Sequence, residues 1–417
     1  METIITKNFI STILLAAVAS SPAMALTWAE LKSTALDHAP ALEIAKSELS
    51  AADATIKSAN AQFLPNISSS LSASQNIDTS THKSANNYDA SILVEQSLFS
   101  FGRSAAQLDA AKSGKSASLA NLKLSSVTLR TKLARAWAKA LYLQELGRIS
   151  EKNIARREAN AQIVKLRYQG GRENKGSVLK TETATLETKT DTFEAKDNFE
   201  LSKGDLSVLI GKDIDPSETL AGEIVPDLQI TVAKPSREHP EVTALHAKEK
   251  QAEAALKESR RKYLPDLALS ASARRSATPN LPLNDPEYTA GLTLRIPMFT
   301  PSTSADIASA AAKRKSASVA LKEAQSSHSQ KMKSAESSLK FAQQRLEIAN
   351  KSFDASKLQA EVSRQRYTLG LVSFQDWDSY ESDLMKSEAD VLRCKLEVAN
   401  AHADYIEALG INLEEGP

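Results

Sequence analysis

The residues most often used in catalysis and metal binding are scattered along this chain. Six histidines occur over 417 residues, and no two of them are four residues apart, so no helix presents a histidine pair to a metal ion. None of the motifs HExxH, GxGxxG, GxSxG, CxxC or the phosphate-binding P-loop is present. The sequence therefore predicts no catalytic residue, no metal site and no cofactor.

The charged residues indicate solvated helix surfaces. Lys and Arg number 52 and Asp and Glu 51, a net charge of +1, and most acids lie beside Lys or Arg in predicted helices. Nucleic-acid binding needs a concentrated basic face, so we expect no such partner. With 13 Gly, 14 Pro and 5% aromatic residues, the composition is lean for a compact core and favours an elongated molecule.

The N-terminus carries the features of an export signal. Lys7 precedes an apolar run from Phe9 to Ala19, and Ala23-Met24-Ala25 fits a cleavage site, which predicts a signal peptide over residues 1–25, cut before Leu26. The alternative is an N-terminal membrane anchor, but the run is shorter than the roughly 20 residues that a spanning helix needs. Cys394 is the single cysteine, so it forms no internal disulfide and is predicted to be an ordinary helix residue.

The chain repeats itself at an offset of 200 residues. Phe63-Leu64-Pro65-Asn66 recurs as Tyr263-Leu264-Pro265-Asp266, and Leu98-Phe99-Ser100 as Met298-Phe299-Thr300. The repeats predict a first unit over 26–210, which consists of a helix, a β-hairpin at 66–99, a long helix at 103–168 and a return helix at 177–210. A linker over 211–236 follows. The second unit, over 237–409, consists of a helix, a β-hairpin at 266–299, a long helix at 302–367 and a return helix at 374–409, and a tail covers 410–417.

Both predicted hairpins alternate apolar and polar residues, the pattern of strands with one apolar face. The polar positions of the second strand in each hairpin are candidates for lining a pore, and they are Asp89, Ser91, Glu95, Thr289, Thr293 and Arg295. Tyr88, Phe99, Tyr288 and Phe299 lie near predicted strand ends, where an aromatic girdle at a membrane interface is expected; the alternative is that they pack between protomers.

The two long helical runs are too long for a compact domain. Each covers roughly 65 residues, or about 100 Å as a helix. Both carry a heptad row, one from Leu133 to Tyr168 and one from Leu339 to Tyr367, which predicts coiled-coil packing. Each run ends at a glycine turn, Gly170-Gly171 or Gly370, and a return helix follows, so two helical hairpins are predicted.

Two hairpins supply only four strands, and four strands cannot close a barrel. In lipid every unpaired edge amide costs several kcal/mol, so a membrane sheet must close. Three copies supply twelve strands, an even number within the range of outer-membrane barrels. The predicted fold class is therefore an α+β membrane protein in which long coiled-coil hairpins accompany a twelve-stranded barrel shared by a homotrimer.

The order of hairpin, long helix, glycine turn and return helix, repeated twice, resembles the TolC family of outer-membrane efflux proteins over nearly the whole mature chain. The Phe63-Leu64-Pro65 and Tyr263-Leu264-Pro265 motifs and the second turn, Tyr367 to Ser373, carry this resemblance. It implies a trimer in outer-membrane lipid whose helical tunnel projects into the periplasm. It also implies two partners, a periplasmic adaptor (membrane fusion) protein and an inner-membrane transporter or ABC-type ATPase.

The resemblance further assigns roles to the two turns. Acids just past the second turn ring the closed periplasmic opening in that family; Asp376 matches this position, whereas Asp378 lies one residue before the family's next acid, at Ser379. At the first turn the usual acid position is Ser177. The candidate adaptor-docking residues are Gly170, Gly171, Arg172, Leu369, Gly370, Leu371, Val372 and Ser373.

Three functions remain open on the sequence. The first is a passive exit duct for efflux of small molecules. The second is the outer-membrane component of type I protein secretion, which would use the same residues. The third is a periplasmic coiled-coil scaffold without a pore, which predicts extraction without detergent and no conductance. The alternating strands, repeated at the same offset, favour a channel over a scaffold.

Overall fold

The fold consists of two strand hairpins and seven helices within the described part of the chain. The computed structural model describes residues 25–78, 83–225, 239–277 and 285–415. The elements are β1 (Leu26–Thr27), α1 (Trp28–His38), α2 (Pro40–Ala61), β2 (Asn66–Asp78), β3 (Lys83–Phe99), α3 (Arg103–Gln169), α4 (Lys175–Ile210), β4 (Leu220–Ala221), α5 (Pro240–Arg261), β5 (Asp266–Ala277), β6 (Glu287–Arg295), α6 (Pro301–Thr368) and α7 (Phe374–Leu409).

Several observed boundaries differ from the predicted ones for local reasons. The first return helix begins at Lys175, ahead of the predicted start at 177, because the Asn174 side chain accepts the Ser177 N–H and caps the helix. Strand β6 ends at Arg295, short of the predicted 299, two residues before Pro297. The predicted linker over 211–236 contains β4, and its residues 226–236 lie outside the described residues, as do 1–24 of the signal peptide and 416–417 of the tail.

Equivalent helices of the two units begin and end with the same types of residue. Pro40 and Pro240 each occupy the first turn of their helix, where the missing N–H costs nothing. The return helices end at Gly211 and Gly410 with φ of 72° and 71°, a conformation that favours glycine. A Cβ on Gly211 would lie 2.4 Å from the His38 carbonyl oxygen, so the backbones meet too closely there for any side chain.

The four long strands form one antiparallel sheet in the order β2-β3-β5-β6. Tyr88 pairs with Ala73 on β2 and with Ala277 on β5, which brings the two hairpins side by side. Because residues that pair across an antiparallel ladder share a face, the register places every second residue of all four strands on the same side. One side is polar and the other mainly apolar.

The helices form a single layer around α3 and α6, which have 67 and 68 residues. In the half next to the sheet, α2 and α5 pack against α3, and α5 also packs against α6. In the half that ends at the turns, α4 and α7 pack against α3, and α7 also packs against α6. The edges of the layer are therefore α2 and α4 on one side and α6 on the other. No helix in the described ranges combines the length and the apolar character needed to cross a membrane.

The largest core cluster lies where the two halves of the layer meet. Leu31, Leu133, Leu206 and Leu413 are each fully buried there, beside Trp137. Strand β1 pairs in parallel with β4 across this region. The C-terminal tail thus supplies a core residue to the first repeat, a contact that sequence repetition gives no means to predict.

Candidate functional site

The two helix turns lie side by side at one end of the layer. Gly171 and Gly370 have φ of 69° and 80°, and each turn is closed by a hydrogen bond from the N–H of the following residue. The Arg172 N–H donates to the Arg167 carbonyl at 2.8 Å, and the Leu371 N–H to that of Arg366 at 2.9 Å. The docking candidates of the turns are exposed except Val372, which is half-buried, and the largest apolar groups among the exposed ones are Leu369 and Leu371.

Arg167 joins the two turns. Its Nη1 donates to the Tyr367 carbonyl at 2.5 Å and to the Thr368 carbonyl at 3.4 Å. Its guanidinium carbon lies 4.5 Å from the centre of the Tyr367 ring, within reach of a cation–π interaction. This side chain therefore helps to hold the ends of the two helical hairpins at one level.

Tyr367 is the centre of the contact behind the turns. Its ring stacks on Trp377 at 4.4 Å, and its hydroxyl donates to Glu173 Oε2 at 2.9 Å. Burial, together with the hydrogen bond to this carboxylate, raises the pKa of Tyr367 well above its ordinary value. Burial opposes ionisation of Glu173, but hydrogen bonds from Asn174, Tyr367 and Ser177 outweigh it and lower the pKa of this carboxyl.

Asp376 lies exposed at this end of the molecule and also caps a helix. Its N–H donates to Ser373 Oγ at 3.2 Å, and the same hydroxyl donates to Asp376 Oδ2 at 2.6 Å. The carboxylate is thus held at the N-terminus of α7, where the helix dipole favours a negative charge. The exposed position of Asp376 is compatible with a role at the opening of a channel. Helix capping is a sufficient explanation for an acid at this position as well.

Asp378 is not exposed, contrary to the expectation of a second acid at the opening. It is 8% exposed and lies between Arg157 Nη1, at 3.2 Å, and Lys180 Nζ, at 2.8 Å. The reason is geometric. Two residues along an α-helix correspond to about 200°, so the side chain that follows exposed Asp376 by two faces α3 and α4. Its charge is compensated inside the protomer.

A buried polar layer between α3 and α7 continues from this pair. Glu381 is 2% exposed and lies 3.9 Å from Arg156 Nη1, while Arg157 Nη2 donates to Ser382 Oγ at 3.1 Å. This layer was not predicted from the sequence, because these residues match the pattern of ordinary charged helix surfaces. Four of its buried atoms have no hydrogen-bond partner within the described protein: Arg157 Nε, Asn160 Oδ1, Trp377 Nε1 and Glu381 Oε2.

The sheet register brings all six pore-lining candidates onto one face. We call this the polar face; it carries Asp89, Ser91, Glu95, Thr289, Thr293 and Arg295. Asp89 pairs there with Arg274, whose Nη2 lies 2.8 Å from its Oδ1. Arg274 was not predicted, although its position opposite Ser91 follows once the register is known. The hydroxyls of Ser70 and Ser91 are 2.8 Å apart on the same face.

The opposite face, which we call the apolar face, exposes large aliphatic and aromatic groups. It includes Leu71, Tyr88, Ile92, Tyr288, Leu292 and Leu294, all at least half exposed in one protomer. At the helix end of the sheet, Phe99 and Phe299 are also exposed. A monomer in water does not keep such a surface uncovered, so lipid or protein must lie against it.

The comparisons with known proteins agree with this architecture. Residues 31–212 and 236–410 match the model of the outer membrane efflux protein family, and the chain belongs to that family. The resemblance to TolC-like channels drawn from the repeats is thereby confirmed. The protein is located in the outer membrane, with a large periplasmic portion. No curated protein sequence matches the chain.

Solved structures show the same fold at low sequence identity. The outer-membrane channel OprN is 18% identical with a TM-score of 0.81, covering 93% of this chain and 90% of that one. The MtrE outer membrane channel of Neisseria gonorrhoeae, in its open state, is 22% identical with a TM-score of 0.78, covering 91% and 88%. VceC of Vibrio cholerae is 19% identical with a TM-score of 0.77, covering 92% and 95%.

Proposed function

We propose that three copies of this chain form a passive exit duct from the periplasm through the outer membrane. In this proposal a periplasmic adaptor connects the duct to an inner-membrane transporter or ABC-type ATPase, which supplies the energy. The duct itself is not an enzyme and takes no cofactor. Membership of the efflux family supports the general role, and the edges of the helical layer support the trimer.

The observation that carries the proposal is a pair of exposed heptad rows at opposite edges of one protomer. On α4 the row consists of Leu179, Leu186, Phe193, Leu201 and Val208, with one step of eight residues between Phe193 and Leu201, and on α6 and its C-cap it consists of Phe341, Ile348, Ala355, Val362 and Leu369. Phe193 is 73% exposed and Ile348 is 67% exposed. Rows of mainly large apolar residues at about seven-residue spacing are typical of coiled-coil seams, and in the part of the protomer that the structure describes no helix covers either row.

The two rows also lie at matching heights. Counting from the turn end, Phe193 is about 27 Å along α4 and Ile348 about 30 Å back along α6, at about 1.5 Å per residue. A threefold rotation about an axis parallel to the helices leaves the height of each residue along that axis unchanged. In a threefold ring the α4 row of one protomer therefore meets the α6 row of its neighbour, in antiparallel orientation.

The sheet supports the same assembly. Strands β2 and β6 are its edges, and three four-stranded sheets joined at these edges would give a closed barrel of twelve strands. The polar face would then line the lumen and the apolar face would contact lipid. This arrangement satisfies the edge amides and covers the exposed aliphatic groups at once.

The turns would lie at the periplasmic entrance in this arrangement. Asp376 is our candidate for a ring of three carboxylates that favours cations at the opening. Asp378, paired with Arg157 and Lys180, would instead hold the two helical hairpins of one protomer together. The residues of the two turns, from Gly170 to Arg172 and from Leu369 to Ser373, are the candidate docking surface for the tips of the adaptor.

Disulfide cross-linking in intact cells tests the trimer. In a Cys394→Ser background, Phe193→Cys combined with Ile348→Cys should give covalent dimers and trimers on a non-reducing gel. Asp191→Cys with Ile348→Cys is the matched control, because position 191 is at nearly the same height but about 200° around α4. Equal cross-linking of both pairs, or of neither, would contradict the proposed interface.

The cargo is tested by comparing the secreted proteome of a deletion strain with that of its parent. Loss of one large secreted polypeptide would identify type I secretion. An unchanged proteome, together with increased sensitivity to toxic small molecules, is the result expected for an efflux duct.

A further inference from the structure

Two histidines lie in contact where the two halves of the helical layer meet. The ring centroids of His239 and His328 are 4.6 Å apart, and the ring planes are inclined at 32°. His239 is 7% exposed and occupies the N-cap of α5, whereas His328 is half-buried on α6. Although the two residues are far apart in the sequence, the fold brings their rings together.

His239 connects three helices. Its Nδ1 accepts the Glu241 N–H at 3.3 Å and so caps α5. Its Nε2 lies 3.2 Å from the Glu407 carbonyl oxygen, near the end of α7, and its ring contacts His328 on α6. A Cβ on Gly410 would lie 2.9 Å from the His239 Cδ2, so the end of α7 packs closely against the ring. Because α5 belongs to the sheet half and α7 to the turn half, this ring holds the two halves together.

These hydrogen bonds require a neutral His239. A ring nitrogen that accepts an N–H carries no proton, so we assign the unprotonated position to Nδ1. The nitrogen that faces a carbonyl oxygen must donate, so Nε2 carries the proton. A second proton would have to bind Nδ1, where it would oppose the Glu241 N–H and remove the cap of α5.

His328 is also held in its neutral form. Burial, followed by the neighbouring His239, lowers the pKa of His328 below its ordinary value of 6.5; Glu241 opposes this shift and Lys331 adds to it. Glu241 Oε2 and Lys331 Nζ are 3.8 Å apart, so their charges partly offset each other, and α7 faces the pair with the Glu407 carbonyl. The neutral ring therefore stabilises the fold above pH 6.5, and this contribution is lost as the pH falls through the folded pKa.

We propose that His239 and His328 form an acid-sensitive joint, which loosens the contact between α5, α6 and α7 when the surrounding pH falls below about 6. A proton on either ring has this effect. On His239 it breaks the cap of α5, and on His328 it places a charge against the other ring at a half-buried position.

The joint belongs to the second unit. At the corresponding N-cap of the first unit stands Ala39, which has no side-chain cap. All of the contacts described lie within one protomer, so the joint does not depend on the proposed trimer. It would make the connection between the sheet half and the turn half of each protomer weaker in acid than at neutral pH.

Hydrogen exchange of the full-length protein in detergent, compared at about pH 7.5 and about pH 5.5 and corrected for the intrinsic pH dependence of exchange, tests the joint. We expect the protection of the first turn of α5, residues 240–244, to fall about fivefold at the lower pH, as for the loss of one helix cap. His239→Asn keeps a capping oxygen but does not titrate. Combined with His328→Gln, it should abolish the fall.

Two other histidines supply the controls. His246 is exposed on α5, and His402 is half-buried on α7, where burial and Arg130 lower its pKa. His246→Gln and His402→Gln should both keep the fall at residues 240–244. A wild type without the fall, a double variant that retains it, or its loss in either control would overturn the joint. Should the double variant not fold, His239→Asn alone decides: a smaller fall supports the joint, and an unchanged one refutes it.

Discussion

Replacing Asp378 with asparagine tests whether the buried ion pair holds the two helical hairpins together. The substitution keeps the shape and removes the charge that faces Arg157 and Lys180, at 3.2 Å and 2.8 Å. Breaking a buried pair costs about 3–5 kcal/mol when the remaining charge is fully enclosed. The Arg157 side chain is only 12% exposed, whereas that of Lys180 is 59% exposed and remains solvated. We therefore expect a cost of about 2 kcal/mol.

Hydrogen exchange of the purified trimer measures this cost where it arises. A loss of about 2 kcal/mol in the contact between α3 and α7 corresponds to about 30-fold faster exchange in the segment that opens. We expect the increase in the first turns of α7, around residues 374–384, and not at the far end of that helix near Leu409. The conductance of the channel in planar bilayers should rise in the same variant.

Asp376→Asn is the matched control, because it removes an acid of the same type two residues away. Asp376 is exposed and hydrogen-bonded to Ser373, so its loss should cost about 0.5–1 kcal/mol through the helix cap. Its main effect should be a lower preference for cations. Exchange rates that rise equally in both variants, or only in Asp376→Asn, would refute the assignment of the two acids.

Three further outcomes follow from the structure. Leu413→Ala should destabilise the protein by about 2–4 kcal/mol, because Leu413 is fully buried in the central core, as chemical unfolding of the detergent-solubilised protein would show. The pKa of Glu173 is lowered in the folded state, so the ionised carboxylate stabilises the fold above its ordinary pKa of 4.5, and this stabilisation is lost as the pH falls through the folded pKa. Hydrogen exchange at the turns should therefore rise below about pH 4.5, and it should rise less in Glu173→Gln. Gly211→Ala should destabilise by at least about 1 kcal/mol, since φ is 72° and the new Cβ would meet the His38 carbonyl, whereas Gly204→Ala, in open helix surface, should be neutral or slightly stabilising in the same assay.

The repeats and periods were sufficient to predict the order of the elements. The offset of 200 residues, the alternation of the strands and the glycine turns are local or periodic features, and the long helices occur at 103–169 and 301–368, close to the predicted limits. Such features can be read from a sequence because each depends on the backbone preferences of nearby residues. The polar face of the sheet was predictable for the same reason.

The partners of individual side chains were not predictable in this way. Asp376 and Asp378 are similar acids two residues apart, yet one caps an exposed helix end and the other is enclosed by cations from α3 and α4. Arg274 and Arg275 are adjacent and identical, yet the register of four strands puts one beside Asp89 and the other beside Leu71 and Tyr88.

The duplicated order of strands and helices, the glycine turns and the resemblance to an efflux family can all be read from the residues in order, because they depend on repeats and short-range periodicity. The pairing of charges, the heptad rows that no described helix of the protomer covers and the burial of the C-terminal Leu413 become visible only in the folded molecule. Those outcomes depend on the packing of segments more than 150 residues apart, such as Arg157 against Asp378 at a separation of 221 residues. No local pattern encodes a contact of that range.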